Sequence, residues 1–163
     1  MMDLNEYEWV KQNRNILLEQ CSILDENEFS KEFEFGFQSI KKSLIHIAGC
    51  YHAWLGSFVL EKTKTPLFTS EEIEELEIDD IKQYFLQADQ YMEEILKRSS
   101  NELDNYIEKS PEWKQGNETI MKTMHQLLFH SVTHEYHHKG QIVTMLRMLG
   151  YTPNNTDVLF LDI

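Results

Sequence analysis

A chain of 163 residues, 41% hydrophobic and 26% charged, has the length and balance of one globular domain with a single core. Its 28 acidic residues outnumber 15 basic ones, and the formal net charge of -13 argues against a nucleic-acid-binding surface, because phosphates are bound by clustered lysine and arginine. The same charge disfavours anionic membranes and favours solubility. We therefore expect one domain over residues 1–163 that binds neither nucleic acid nor membrane.

The N-terminal sequence and the cysteines predict a cytoplasmic protein. The chain begins MMDLNEYEW, which is acidic and lacks the apolar core of a signal peptide. Residues 43–60 carry no charge and approach the length of a membrane span, but their two histidines, two glycines and two serines favour a helix buried in a bundle. Cys21 and Cys50 lie in helical, mostly apolar patterns, so we expect buried free thiols.

The first two helical patterns cover residues 4–24 and 38–62. In the first, apolar side chains recur at intervals of three, four or their multiples. In the second, His46 lies almost opposite a bulky apolar stripe, on a face of small residues that would leave space for a cavity. The stripe comprises Phe37, Ile40, Leu44, Ile47, Tyr51, Leu55 and Phe58, and the small face comprises Ser39, Ser43, Cys50, Ala53 and Ser57.

Two further helical patterns cover residues 78–99 and 117–149. The third helix begins with several acidic residues, which suit the positive end of a helix dipole. The fourth ends at Gly150, with Pro153 soon after, and this order of glycine and proline is a helix stop signal. Gly140 interrupts the fourth helix at a cost of about 1 kcal/mol relative to alanine. A close approach by another chain or a ligand would explain that glycine.

The connections between these helices are long. Residues 25–37 link the first two helices, and residues 63–77, which contain Pro66, are predicted as a loop between the second and third. Residues 100–116 are predicted to contain a short helix around 105–108, followed by a Ser-Pro breaker. No segment alternates in polarity for long enough to predict a sheet. Four long helices around one apolar centre predict an all-α four-helix bundle, and long connections allow a crossover topology.

The sequence HEYHHKGQ, residues 134–141, predicts a metal site. His134 and His138 lie one helical turn apart, as the two metal-binding histidines do in the HExxH pattern. On the helical wheel of the fourth helix, His138 lies near the middle of the inward apolar stripe and His134 near its edge, whereas His130 and His137 lie toward solvent. The third ligand remains open between His46 and His52, with a slight preference for His46.

Several motifs together resemble the DinB-like (DinB/YfiT) superfamily. The second helix carries SIKKSLIHIAGCYHAWL at residues 39–55, and the fourth carries HEYHHKGQI at 134–142 followed by LRMLG at 146–150. The closing DVLFL at 157–161 also fits the family. The resemblance extends over essentially the whole chain. Two positions depart from the family pattern: Lys139 stands where arginine is commoner, and Tyr51 stands where an acidic residue is often seen.

The resemblance implies a four-helix bundle with crossover topology, often a homodimer, and a metal bound by His46, His134 and His138. It therefore favours His46 over His52. Zinc or nickel is the first expectation for this site, and manganese and iron are also compatible with imidazole ligands. The superfamily resemblance also points to transferases and isomerases that use a low-molecular-weight thiol such as bacillithiol, mycothiol or glutathione.

Two hypotheses about function follow. In the first, the protein is a metal-dependent thiol S-transferase or hydrolase in which three imidazoles leave a coordination position open for a thiol or a water. Its substrate is then a small molecule; Glu135 or Tyr136 assists, or these side chains only make interhelical or surface contacts. Lys139 is expected to be a solvated helix charge rather than an anion clamp. In the second hypothesis, the chain is a non-catalytic, stress-associated bundle for metal binding or dimerisation, whose histidines are structural.

Overall fold

The computed structural model describes residues 2–114, 116 and 118–161. This part of the chain contains seven α-helices, one π-helix that continues α3, one 3-10 turn and one two-stranded hairpin. The α-helices are α1 (Leu4–Cys21), α2 (Glu26–Phe29), α3 (Ile40–Tyr51), α4 (Ser70–Glu75), α5 (Ile78–Leu96), α6 (Ser100–Leu103) and α7 (Met124–Met148). The π-helix is His52–Val59, the strands are β1 (Tyr106–Lys109) and β2 (Ile120–Thr123), and the 3-10 turn is Val158–Phe160.

Four long helices form the bundle, and they confirm the predicted all-α class. They are α1, α3 with its π-helical extension, α5 and α7. Helix α3 packs against both α5 and α7, and α1 packs against α5. An ion pair between Arg14 and Glu135 joins α1 to α7. The order around the bundle is therefore α1, α5, α3, α7, so that α1 and α3 lie diagonally opposite each other and the connection between them crosses one end of the bundle.

Side-chain caps set the helix starts. The Asp3 side chain accepts hydrogen bonds from the first turn of α1, and Ser39 accepts from the backbone of Lys42 at the start of α3. Helix α7 begins at Met124, seven residues later than predicted, because Thr123 and Gln126 form a capping box there. The predicted start at residue 117 is therefore wrong.

A short β-hairpin replaces the helix predicted around residues 105–108. Strand β1 pairs antiparallel with β2, with Tyr106 opposite Thr123 and Lys109 opposite Ile120. The expectation of no sheet is thus wrong for these eight residues. Four-residue strands with half-exposed faces carry too little alternation to be recognised, and their pairing joins segments that lie more than ten residues apart in the chain. Within the described residues this hairpin is the one sheet.

The π-helix widens the second helix after Tyr51. Its wider turn is seen in the hydrogen bond from the backbone of Leu60 to the carbonyl of Leu55, five residues earlier. The glycine at position 56 is required by packing, since an added Cβ would lie 2.5 Å from the Tyr91 ring on α5. The extension places Trp54 beside α7, where its ring centroid lies 6.2 Å from that of His130.

The core runs along the bundle axis and includes both cysteines. Cys21 and Cys50 are free and buried, as predicted. Among the described residues, no helix is both long enough and apolar enough to cross a membrane. The segment 43–60, whose length approached that of a span, is instead packed between α5 and α7.

Candidate metal centre

Three histidines from two helices meet between α3 and α7. His46 comes from the middle of α3, and His134 and His138 come from successive turns of α7. One ring nitrogen from each lies within 4.8 Å of the others. The Nε2 atoms of His46 and His134 are 3.0 Å apart. We call these three side chains the histidine triad; they are the residues that the resemblance implied as ligands.

The surroundings keep the triad neutral. Burial, reinforced by neighbouring His138, lowers the pKa of His46 to about 4. Burial and the other histidines around it lower the pKa of His134 to about 3. The pKa of His138 is also lowered, mainly by burial. Neutral imidazoles are the form that binds a metal, so at neutral pH all three side chains offer lone pairs.

Gln141 orients His138. The Nδ1 of His138 lies 2.8 Å from the amide oxygen Oε1 of Gln141, one turn later on α7. Because that oxygen only accepts hydrogen bonds, Nδ1 carries the proton and Nε2 keeps its lone pair for a ligand. Gly36 in the loop before α3 packs directly on this amide: its φ is 59°, and an added Cβ would lie 2.7 Å from Oε1. Glycine at this position therefore lets the loop approach the Gln141 amide closely.

Phe37 covers the triad. Its ring stacks on that of His46, with centroids 3.5 Å apart and an interplanar angle of 21°, and it meets His138 edge-on at 5.2 Å. The placement of Phe37 on a helical stripe opposite His46 is wrong, because α3 begins only at Ile40. The left-handed backbone of Gly36 and Gln38, with φ of 59° and 68°, turns the intervening Phe37 back over the site.

The other histidines of the two helices lie outside the triad. His52, the rival third ligand, points toward α5, where its Nε2 lies 2.9 Å from the Tyr84 carbonyl and its ring stacks on Tyr84 at 3.7 Å. His130 and His137 are exposed on α7, as the helical wheel predicted. The His130 ring is next in line after His134, with centroids 5.4 Å apart.

Glu135 belongs to a second, separate polar cluster. Its carboxylate accepts two hydrogen bonds from Arg14, both 2.9 Å, and one from the Tyr51 hydroxyl at 2.6 Å. Arg14 also donates to Asp89 at 2.5 Å and to the Tyr7 hydroxyl at 3.2 Å. We call these five residues the core polar network. Since α1, α3, α5 and α7 each contribute at least one member, Glu135 makes an interhelical contact, which is one of the two predicted alternatives.

Lys139 is not the solvated charge that was predicted. Its Nζ donates to the Asn13 side chain at 2.8 Å and to the Thr156 carbonyl at 3.1 Å, and it lies 4.7 Å from the centre of the Tyr136 ring. The lysine thus binds the C-terminal segment to α1. Gly140 beside it faces open space, because apart from its chain neighbours and the adjoining backbone of α7 no atom of the described chain lies within 4 Å of an added Cβ. Packing within this part of the chain therefore does not explain that glycine.

The triad fits a divalent metal on chemical grounds. Two imidazole nitrogens bound tetrahedrally to one zinc ion lie about 3.3 Å apart, given zinc–nitrogen bonds of about 2.0–2.1 Å, and the observed 3.0 Å is close to this. Among the described residues, the buried side-chain polar atoms without a hydrogen-bond partner are Oγ of Ser43 and Nδ1 of His134. Neither is the His134 Nε2 that faces His46, so the fit to a metal rests on the spacing of the ring nitrogens.

Fold and site together define a helical bundle with an inward-facing set of three histidines that could hold a divalent metal ion. The sequence profile of the DinB family matches residues 1–162, and the chain belongs to that family. No curated protein matches the chain in a sequence comparison.

Proposed function

We propose that the protein is a metal-dependent enzyme that transfers a low-molecular-weight thiol, or water, to an electrophilic small molecule at the histidine triad. The observation that carries this proposal is the donor set: three neutral imidazoles converge and no carboxylate or thiolate of the described chain completes them. Structural zinc sites are usually closed by four protein ligands, whereas three ligands leave a position for a reactant. Zinc or nickel suits such a set best, with manganese and iron as further candidates.

A bound divalent cation would supply one piece of chemistry, which is to lower the pKa of a coordinated thiol or water. The protein's residues do the rest. His46, His134 and His138 present their lone pairs, and Gln141 holds the proton of His138 on Nδ1. Phe37 shields the site from bulk solvent by stacking on His46. A shielded site strengthens the electrostatic interactions within it.

In the transfer itself, the thiol gives its proton to solvent and its sulfur electron pair forms the new bond to carbon. The bond from that carbon to the leaving group breaks, and the leaving group departs with the electron pair. In the hydrolytic version water takes the place of the thiol. Glu135 is unavailable as a base for either step, because Arg14 and Tyr51 occupy its carboxylate.

The first test is the metal content of protein purified without a histidine tag. Wild type is expected to carry about one divalent ion per chain, and His46→Ala and His138→Ala are expected to carry none. His130→Ala is a matched control, because this residue lies on the same helix and outside the triad. Wild-type protein that holds no metal after incubation with zinc, nickel or manganese would contradict the proposal.

A second test concerns the reaction. Loaded protein is incubated with a chromogenic electrophile and glutathione or bacillithiol, and separately with an activated ester without thiol. Turnover that requires both thiol and metal supports the transferase, and turnover of the ester alone supports the hydrolase. A protein that holds one metal firmly but exposes no exchangeable position to azide or cyanide, and turns over neither substrate, would instead be the non-catalytic metal-binding bundle.

A homodimer is part of the same proposal. Several large apolar side chains are exposed on the single chain, among them Phe129 at 66% and Phe160 at 70%. Covering such side chains is a common reason for association. Analytical ultracentrifugation at micromolar concentration would show a mass near twice that of the chain, and a single species at 19.4 kDa would contradict the dimer.

A further inference from the structure

A cavity of about 310 Å³ lies directly beside the triad, on the side of α3 that faces α5. Its apolar walls come from α3, α4, α5 and the connection between α3 and α4. The residues that form these walls are Ile45, Leu67, Phe68, Ile73 and Tyr84. This volume is at the lower end of the range for small-molecule sites, which are mostly apolar with a few polar groups.

One member of the triad and the ring that covers it line the cavity. His46 and Phe37 both line the cavity, and the Phe37 ring lies against His46 at 3.5 Å and against His138 at 5.2 Å. The cavity therefore begins at the edge of the Phe37 ring, which covers the triad. Because His46 belongs to both, a molecule bound at the triad would have its nearest apolar surface in this cavity.

The walls are fixed by polar contacts, so the cavity is preformed. Lys41 is only 4% exposed, and its Nζ donates to the Glu74 carbonyl at 2.8 Å. Burying a lysine is costly, and here the ammonium holds the end of α4 against α3. The Tyr84 hydroxyl donates to the Pro66 carbonyl and so holds the connection that carries Leu67. An added Cβ on Gly49 would lie 3.0 Å from Leu67, so the glycine lets this wall approach α3.

The charges at the rim select against an anionic ligand. Lys42 lines the cavity, but its Nζ is paired with Glu32 at 2.9 Å. Glu74 also lines the rim and is exposed. The rim thus offers no excess positive charge to a carboxylate or a phosphate, while the interior offers apolar and aromatic surface.

We propose that this cavity binds an uncharged apolar arm, of about the size of a phenyl or hexyl group, on the electrophilic substrate whose reacting group lies at the triad. The assignment rests on the proposed function for the location of the reacting group. It adds the substrate class: small electrophiles with an aryl or alkyl arm are preferred over those with an anionic arm. Burial of each methylene contributes about 0.8 kcal/mol, or roughly fourfold in affinity.

The experiment separates the arm from the reacting group with a series of hydroxamic acids, whose head binds metals. Binding of acetohydroxamic, hexanohydroxamic, benzohydroxamic and succinic monohydroxamic acids to the zinc-loaded protein is measured by calorimetry. In wild type the hexano and benzo compounds are expected to bind at least tenfold more tightly than acetohydroxamic acid, and the succinic compound no more tightly than it.

Variants then locate the arm. Leu67→Asp places a charge in the cavity wall, and Ile73→Ser removes apolar surface; both residues are partly exposed, so the fold should tolerate the changes. Each is expected to abolish most of the tenfold gain while the affinity for acetohydroxamic acid stays unchanged. Leu86→Asp is the matched control, since Leu86 is 53% exposed on α5 and does not line the cavity. This control should keep the full gain.

The outcomes distinguish the two proposals. The cavity does not bind the arm if acetohydroxamic acid binds and the hexano and benzo compounds bind no more tightly than it does. The same conclusion follows if their higher affinity is kept in both Leu67→Asp and Ile73→Ser. If the protein takes up none of zinc, nickel and manganese, or if the metal-loaded protein does not bind acetohydroxamic acid, the proposed function falls, and the substrate arm falls with it. A metal-independent check uses 1-hexanol and the metal-free protein: methyl resonances of Leu67 and Ile73 should shift, and their constancy would overturn the cavity assignment.

Discussion

His134 and Glu135 follow each other on α7, yet their side chains enter two very different polar clusters. In the core polar network, the Glu135 carboxylate is satisfied by Arg14 and Tyr51, and Arg14 in turn by Asp89. In the triad, the nitrogens of His46 and His134 face each other, and Nδ1 of His134 has no partner in the described chain.

The difference between the clusters separates two roles for buried polar residues. A closed network of paired charges fixes how helices sit against one another, and it has no capacity left for a ligand. The histidine triad, whose lone pairs are unpaired, contributes less stability to the metal-free protein but can bind a ligand. Adjacent positions on one helix can serve both roles because successive side chains point about 100° apart around the axis.

The largest effect on stability is expected from breaking the core polar network. Arg14→Met leaves the buried Glu135 carboxylate and the partly buried Asp89 carboxylate without their shared partner, and the free energy of unfolding should decrease by about 3–5 kcal/mol. Urea denaturation measures it. As a control, Lys82→Met removes an exposed ion pair with Asp79 and should cost less than about 1 kcal/mol. Equal losses in the two variants would mean that the network does not hold the bundle.

The histidine triad, unlike the core polar network, should make the stability of the protein depend on metal. At a zinc concentration about 100 times its Kd, the free energy of unfolding of wild type should increase by about 2.7 kcal/mol. His46→Ala should remove this gain, and His130→Ala should retain it. Thermal unfolding with and without zinc measures both. A full gain in His46→Ala would show that zinc binds elsewhere.

A smaller effect is expected at Gln141, whose hydrogen bond fixes one member of the triad, much as hydrogen bonds fix the members of the core polar network. Gln141→Leu removes the acceptor for Nδ1 of His138 and should weaken metal affinity by about 10- to 100-fold. Gln141→Glu keeps an acceptor and should bind metal at least as tightly as wild type. Competition with a chromogenic chelator measures the affinities. If both variants bind like wild type, Gln141 does not orient His138.

The remaining effect concerns pH in the metal-free protein. His46 and His134 have folded-state pKa values of about 4 and about 3, below the ordinary value of 6.5. Between pH 6.5 and about 4 the unfolded chain binds protons that the folded chain does not, so stability should fall as pH decreases through this window. It should be unaffected by these groups above pH 6.5. In the double variant His46→Gln/His134→Gln the pH dependence should be shallower, and an unchanged slope would contradict the assignment.

The sequence predicted those parts of the site that depend on local periodicity. Spacing and the apolar stripe of α7 identified His134 and His138 as the inward pair, and His130 and His137 as exposed. The small face of the second helix predicted space around His46. Periodicity could not decide between His46 and His52, because both lie on buried faces of that helix and the decision depends on which neighbour each face meets.

The parts that sequence reasoning missed depend on contacts between distant segments. Phe37 reaches His46 only because two left-handed residues turn the loop before α3 back on the helix. Lys139 donates hydrogen bonds to Asn13 and to the carbonyl of Thr156, which are both distant from it in the sequence. The hairpin pairs strands that are too short to show a pattern alone.

The sequence by itself determined that this chain forms a bundle of long helices, that it belongs with the DinB family, and that α7 presents two histidines inward. These properties follow from the 3.6-residue period of the α-helix and from motifs that are local in the sequence. The tertiary structure decided that His46 and not His52 completes the triad, that Glu135 is held in the core polar network, and that Phe37 stacks on His46 at the edge of an apolar cavity. Each of these depends on which helix face meets which neighbour, a matter settled by packing of the whole core.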